Sequence, residues 1–350
     1  MKIFYAVQAT GNGHIARAKA LMPYLQRYGQ VDVFLSGNNS HLKVDLPVKY
    51  TSKGVSLFYG SRGGLDYIKM AKELSLVSII KEAKALPIDQ YDLVINDFEC
   101  ITALACQLKN IRSIGFGHQA SFQSAYTPRP NHKDWMGECI LKHYAKATKY
   151  IGLHFERYAD FIYAPILKQT VLEASPVDQG HISVYLSHYS DQVVLKYLSA
   201  LPDQLFHVFS KQYRNDTRIG NIIFKPIDNI AFTESMIHAS GIITGAGFET
   251  PAEALYLNKK VLCVPIKGQY EQLCNAAALQ KFGVPIVHQL NHQFANTVAD
   301  WLSGTLPQPL KIEHDTASIV SLVMETAAAL QDDVTAFDQY QLDQLSLKFR

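Results

Sequence analysis

Short apolar runs alternate with longer amphipathic segments along most of this chain, and that alternation limits its fold more than any other feature. Ile3–Val7, Val31–Leu35, Leu93–Ile95 and Ser113–Phe116 are separated by helical stretches from His14, about Tyr67–Ala85 and about Ile101–Lys109. Runs this short have strand length, and the amphipathic segments between them carry the chain back over a sheet, so βα units around a parallel sheet follow. A long helical stretch is expected from Gly137 to Arg157, then a strand at Phe161–Tyr163. Pro165 to Gly180, with Pro176 inside it, lacks periodicity and reads as a linker.

The pattern then restarts: Ile182–Leu186, a helix near Asp191–Ser199, Phe206–Phe209, Ile222–Phe224, a helix near Ile230–His238, Gly241–Thr244, a helix from Pro251, Val261–Val264, a helix from Glu271, and Ile286–Val287. The expected architecture is α/β, with two Rossmann-like domains at residues 1–164 and 181–330 facing a cleft. The last helices have the option of crossing back, and 331–350 forms a surface helix or tail. In open sheets of this kind ligands sit beyond the carboxyl ends of the strands, so the loops after strands are the places to search.

Composition excludes several classes. With 48% hydrophobic residues, 33 basic against 31 acidic side chains and a net charge of +2, the 350-residue chain has no global field for nucleic acid. Five cysteines without Cys-x-x-Cys spacing suit a reducing, cytoplasmic setting. The apolar N-terminus is too short for a secretory segment, and no window approaches the roughly 18 apolar residues of a spanning helix.

The richest stretch runs from Gly241 to Ala276. Glycines let backbone N–H groups approach an anion, and the helix after them aims its positive end at the same point, so a phosphate-bearing ligand is the first expectation. Thr250-Pro251-Ala252-Glu253 also fits a capping box, with Thr at N-cap and Glu at the third helical position, which by itself would account for these residues.

Gly247, Thr250, Glu253, Pro265, Glu271, Gln272 and Asn275 together resemble the donor segment of GT-B glycosyltransferases, closest in style to family 28 and to plant and macrolide nucleotide-sugar transferases. The resemblance implies that Glu253 binds the ribose hydroxyls of a nucleotide sugar, with a uridine diphosphate sugar expected as the donor, and that Glu271 and Gln272 hold the sugar. A carboxylate accepts both hydrogen bonds of a vicinal diol. Phe224-Lys225-Pro226-Ile227-Asp228 resembles the loop that meets the base, through the backbone of Ile227. Ser187 stands where relatives place a phosphate donor. Many relatives carry a cation where this chain has Gly245, which leaves the backbone of Gly13, Gly245, Ala246 and Gly247 and the helix dipole for the diphosphate, while Glu249 adds a negative charge nearby.

Gly11-Asn12-Gly13-His14-Ile15-Ala16 reads either as a dinucleotide fingerprint, without its acidic residue where Ser36-Gly37-Asn38-Asn39 stands, or as the glycine turn and His of GT-B enzymes. The resemblance implies that His14 is the general base for an acceptor hydroxyl and that Asp97 orients it. Asp97 is otherwise a helix cap at Ile101, or with Glu99 half of a metal site; no metal is expected. His118 ends another strand and is expected at the acceptor.

The implied activity is metal-independent, inverting transfer of a hexosyl group from a nucleotide donor, without a cofactor. The rivals are a nucleotide-sugar epimerase of the same fold and a non-catalytic nucleotide-sugar sensor. The basic, aromatic stretch from Arg129 to Lys149, with Trp135 and His143, and the helix bearing Lys69, Lys72, Lys81 and Lys84 are either solvated faces or a peripheral contact with the inner face of a membrane carrying a lipid-linked acceptor.

Overall fold

The computed structural model describes residues 1–37, 44–54 and 76–331. Residues 67–75 of the expected helix, with Lys69 and Lys72, as well as Asn38, Asn39 and the tail after 331, lie outside the described residues.

A first sheet holds seven parallel strands in the order β3-β2-β1-β4-β5-β6-β7. They are β1 (Lys2–Gln8), β2 (Gln30–Ser36), β3 (Val48–Ser52), β4 (Leu93–Asp97), β5 (Ile114–Gly117), β6 (Lys149–Leu153) and β7 (Ile162–Tyr163). β1 is central and buried on both faces, which is why it reads as the unbroken apolar run Ile3-Phe4-Tyr5-Ala6-Val7. Each large side chain withdrawn from water here stabilises the fold by roughly 1.5–3 kcal/mol.

The second sheet runs β10-β11-β9-β8-β12-β13: β8 (His181–Tyr185), β9 (Leu205–Ser210), β10 (Thr217–Ile219), β11 (Ile222–Pro226), β12 (Gly241–Thr244) and β13 (Lys260–Cys263). Only the hairpin of β10 with β11 is antiparallel. Ile286 adds a parallel bridge to Cys263 rather than a full strand.

The helices are α1 (Asn12–Leu25), α2 (Leu76–Ala85), α3 (Cys100–Lys109), α4 (Trp135–His143), α5 (Gln169–Leu172), α6 (Asp191–Leu198), α7 (Asn229–His238), α8 (Glu249–Tyr256), α9 (Tyr270–Lys281), α10 (Phe294–Ser303) and α11 (316–331). Among the described residues no helix is long and apolar enough to cross a membrane.

Three expectations are corrected by packing. The helical stretch from Gly137 to Arg157 is α4 followed by strand β6, because Lys149 to Gly152 find ladder partners beside β5 and the sheet overrides local period. The segment from Pro165 to Gly180 is no loose linker: Ile166, Leu167 and Val171 are buried in the main core. Thr250 is not the cap; α8 begins two residues earlier than expected, at Glu249, with Phe248 at N-cap and no side-chain cap bond, while Glu253 is drawn into the interior instead of reaching back.

The chain's last described helix, α11, returns to the first sheet's side. The Arg112 guanidinium donates to the Leu330 carbonyl, Gln331 Nε2 donates to Asp92 O at 3.3 Å, and Tyr28 OH meets Ser321 Oγ at 3.2 Å. From the other side, Tyr270 OH of α9 donates to Glu138 Oε1 of α4 at 2.8 Å. The Tyr270–Glu138 bond joins the two halves of the chain across the cleft.

Candidate active site

The site grows from the ends of β1, β4, β5 and β12, where the strands stop and the chain turns over the sheet edges. At the end of β4, Asn96 sets the turn: its Nδ2 donates to Glu99 O at 2.8 Å and its Oδ1 accepts from Glu99 N at 2.7 Å. Phe98 takes a left-handed φ of 57°, a conformation that costs a bulky residue of order 1–3 kcal/mol and turns its ring into the cleft. Glu99 then caps α3, accepting from Ile101 N at 2.9 Å and Thr102 N at 2.6 Å. The helix cap is therefore Glu99, not Asp97, and the two carboxylates share no site.

Asp97 points the other way and is fully buried. It accepts from Arg17 Nε at 2.9 Å and Arg17 Nη2 at 2.8 Å, and His14 Nδ1 lies 2.8 Å from its Oδ1. Burial alone would raise its pKa, but the charges of Arg17 and His14 and their hydrogen bonds hold it at about 2. His14 Nδ1 thus sits between two groups of opposite character, the Asp97 carboxylate, which can only accept, at 2.8 Å and Arg17 Nη2, which can only donate, at 3.0 Å. His14 and Arg17 share a face because they stand three residues apart in the first turns of α1.

Two cavities, about 320 and 90 Å³, share a wall formed by Gly13, Tyr185, Glu249 and Thr250. The larger is lined by His14, Phe98, His118, Gln119, Gly247, Glu271 and Gln272, and the smaller by Lys168, Phe209, Ile227, Phe232 and Glu253. His14 is 13% exposed, enough to present its ring to the larger cavity. Gln119 spans that cavity: Nε2 donates to Glu271 Oε1 and Oε2 at 3.1 and 3.2 Å and lies 3.5 Å from His14 Nε2.

At Gly13 a Cβ would come within 2.5 Å of Glu249 Oε2, so a larger residue there would displace the end of the Glu249 side chain. At Gly245 a Cβ would come within 3.3 Å of Gln272 Oε1, which itself accepts from Ile266 N at 2.9 Å. The site where a cation was missed in the sequence is thus occupied in part by the Gln272 amide. Ala246 is buried and its carbonyl accepts from Asn275 Nδ2 at 3.1 Å, while Gly247 opens to the cavity.

Glu253 is buried and bonded to Lys168 Nζ at 3.1 Å. Burial raises its pKa, and the ammonium of Lys168 opposes the rise without cancelling it. His118 lies at the large cavity but its nitrogens face Leu153 O at 3.0 Å and Asn275 Oδ1 at 2.8 Å, and its ring stacks on Phe248 at 3.9 Å. Burial pushes its pKa down, with Glu271 opposing. It braces the two sheets' elements against each other. Ser187 is exposed beyond the end of β8 and lines neither cavity; Tyr185 of that strand lines both.

Arg17, Gln119, Lys168 and Tyr185 therefore join the site without having been assigned to it from sequence. For Arg17 the signal was present, as the third residue after His14 on a helix. Lys168 sits in a stretch read as a linker, and nothing local marks Gln119.

Solved structures confirm what this arrangement of sheets is. UGT89C1 of Arabidopsis thaliana, complexed with UDP, matches with a TM-score of 0.59 and 14% identity, covering 93% of this chain and 98% of that one. The spinosyn forosaminyltransferase SpnP matches at 0.57 and 13%, covering 94% and 99%. Acinetobacter baumannii MurG matches at 0.53 and 15%, covering 93% and 99%. Identities this low speak for the fold alone, which is GT-B. Among curated proteins no match is found. The family model described as glycosyl transferase family 1 matches residues 1–307, a span that holds both sheets and every residue of the two cavities, and the chain belongs to that glycosyltransferase family.

Proposed function

We propose that the chain transfers a hexosyl group from a uridine diphosphate sugar to an acceptor hydroxyl, with inversion and without a resident metal. The observation that carries the reading is the His14–Asp97 pair, which sets the His14 imidazole, Nε2 foremost, at a cavity that Glu271 also lines. In the step, Nε2 takes the acceptor hydroxyl's proton as the oxygen attacks the anomeric carbon. The bond from that carbon to the diphosphate breaks, and the diphosphate leaves with the electron pair toward the N-terminus of α8. Glu271 and Gln272 take the sugar hydroxyls, Glu253 the ribose, and the backbone of Ile227 the base among Tyr185, Phe209 and Phe232.

The acceptor is proposed to be lipid-linked and met at the inner face of a membrane in the cytoplasm. Exposed Tyr126 and Trp135, at 81% and 75%, lie with exposed Lys133, His143 and Lys146 around α4, whose Ile140 lines the large cavity. Leu76, Val77 and Ile80 of α2 are exposed as well.

The test is product analysis with a panel of uridine diphosphate hexoses and hydroxyl acceptors. The proposal expects uridine diphosphate and a glycoside from the wild type, and neither from His14→Ala despite retained donor binding. Glu249 and Glu271 in one cavity also meet the epimerase requirement for acidic groups, so an isomerised nucleotide sugar without glycoside would replace the transferase reading. Binding with no product at all would make the chain a sensor.

A further inference from the structure

The two cavities are poorly prepared for a diphosphate. Among the described residues lining them, Lys168 is the sole Lys or Arg, set against Asp228, Glu249, Glu253 and Glu271. Lys168 is already bonded to Glu253. A second cation stands just behind the wall: Arg17 is 2% exposed and donates from Nη1 to Glu249 Oε1 at 2.6 Å, across the cleft. Its other nitrogens, Nε and Nη2, hold Asp97.

Glu249 is thus a carboxylate at the first position of α8 that covers a guanidinium with its own charge. It reaches that position because Gly13 has no side chain. Glu249 itself is 28% exposed and borders both cavities, so its side chain has room to move.

We propose that Glu249 is an internal stand-in for a donor phosphate, and that Arg17 Nη1 is the cation that a diphosphate takes over when it enters and Glu249 swings aside. This rests on the nucleotide-donor reading above. The exchange trades one charge-assisted bond to a carboxylate for one to a phosphate, while the two Arg17–Asp97 bonds stay and keep the guanidinium in place. It supplies from the first sheet's side the positive charge that Gly245 does not supply from the second. Free protein and donor complex then differ by a defined contact between α1 and α8.

The test is titration calorimetry of the full chain with uridine diphosphate, inorganic pyrophosphate and uridine. Glu249→Gln keeps the side chain's shape and removes the competing charge. It is expected to bind uridine diphosphate and pyrophosphate about 5-fold tighter or more, with uridine unchanged. Arg17→Lys, which loses the planar fork, is expected to weaken both phosphates about 10-fold and to leave uridine alone; should that variant not fold, Glu249→Gln decides. An unchanged or lower ratio of uridine diphosphate to uridine affinity in Glu249→Gln overturns the inference. Absence of any binding of uridine, uridine diphosphate and pyrophosphate by the wild type overturns the donor reading and the inference with it.

Discussion

Arg17 donates to both oxygens of the fully buried Asp97, and the oxygen it reaches through Nη2, Oδ1, is the one 2.8 Å from His14 Nδ1. The orientation of the imidazole is therefore set by a carboxylate that is itself fixed by an ion pair.

Removing the cation should unfold more than it disarms. Arg17→Met leaves the buried Asp97 carboxylate without its guanidinium, with His14 Nδ1 at 2.8 Å and Tyr5 OH at 3.5 Å as its remaining neighbours, and losing one partner of such a pair costs about 3–5 kcal/mol. Urea denaturation should show that loss, and Asp97→Asn in the same chain should recover part of it, because the two changes act on one interaction. Additive losses would mean that the pair is not coupled.

Asp97→Asn alone should reduce turnover by about two to four orders of magnitude while donor affinity falls far less, by about 10-fold at most through the loosened Arg17. The amide oxygen can still accept from Nδ1, but the amide cannot stabilise the imidazolium that the proposed proton transfer from the acceptor would form. Steady-state kinetics with saturating donor reads the first number and calorimetry the second; equal losses in both would place Asp97 in donor binding.

Glu253→Gln should weaken uridine diphosphate binding about 10-fold or more, and the loss should vanish for the 2′,3′-dideoxy analogue, which has no diol to donate. Competition binding with the two ligands checks this. A loss of the same size for both would assign Glu253 to holding Lys168 rather than the ribose.

Stability should fall on mild acidification. Burial, with His181 stacked on it at 3.9 Å, lowers the pKa of His207 to about 4, and burial lowers that of His188 to about 4. Between the unfolded value near 6.5 and these folded values the unfolded chain binds more protons, so the stabilisation is complete above about pH 6.5 and is lost as pH falls toward 4. Thermal melts from pH 7.5 to 4.5 should show the fall, and His207→Phe, which keeps a ring in the stack, should make it shallower. Parallel slopes would assign the acid sensitivity to other groups.

Much of the fold is legible in the chain because central strands leave continuous apolar runs: Ile3–Val7 falls inside β1 and Ile182–Leu186 overlaps β8 almost fully. β3 leaves no such run, since Val-Lys-Tyr-Thr-Ser at the sheet edge is largely polar, and β6 carries no local sign that it pairs with β5. In the site, the pairing of His14 with Asp97 spans the sequence from α1 to β4 and was readable through family resemblance rather than through spacing. The contacts of Arg17 with Glu249 and of Lys168 with Glu253 join parts of the chain that meet only once both sheets have formed, so no window of sequence holds them. Thr250 to Glu253 shows the reverse case, a local pattern set aside by tertiary burial.

The central claim is that this cleft binds a nucleoside diphosphate and leaves His14 free for chemistry. Calorimetric titration of uridine diphosphate into the wild type and His14→Ala, with NAD as the control ligand, tests it most directly. Saturable binding of uridine diphosphate, equal within about twofold in the two proteins and absent for NAD, is the expected result. Binding of NAD in preference to uridine diphosphate, or loss of uridine diphosphate binding in His14→Ala, would contradict it.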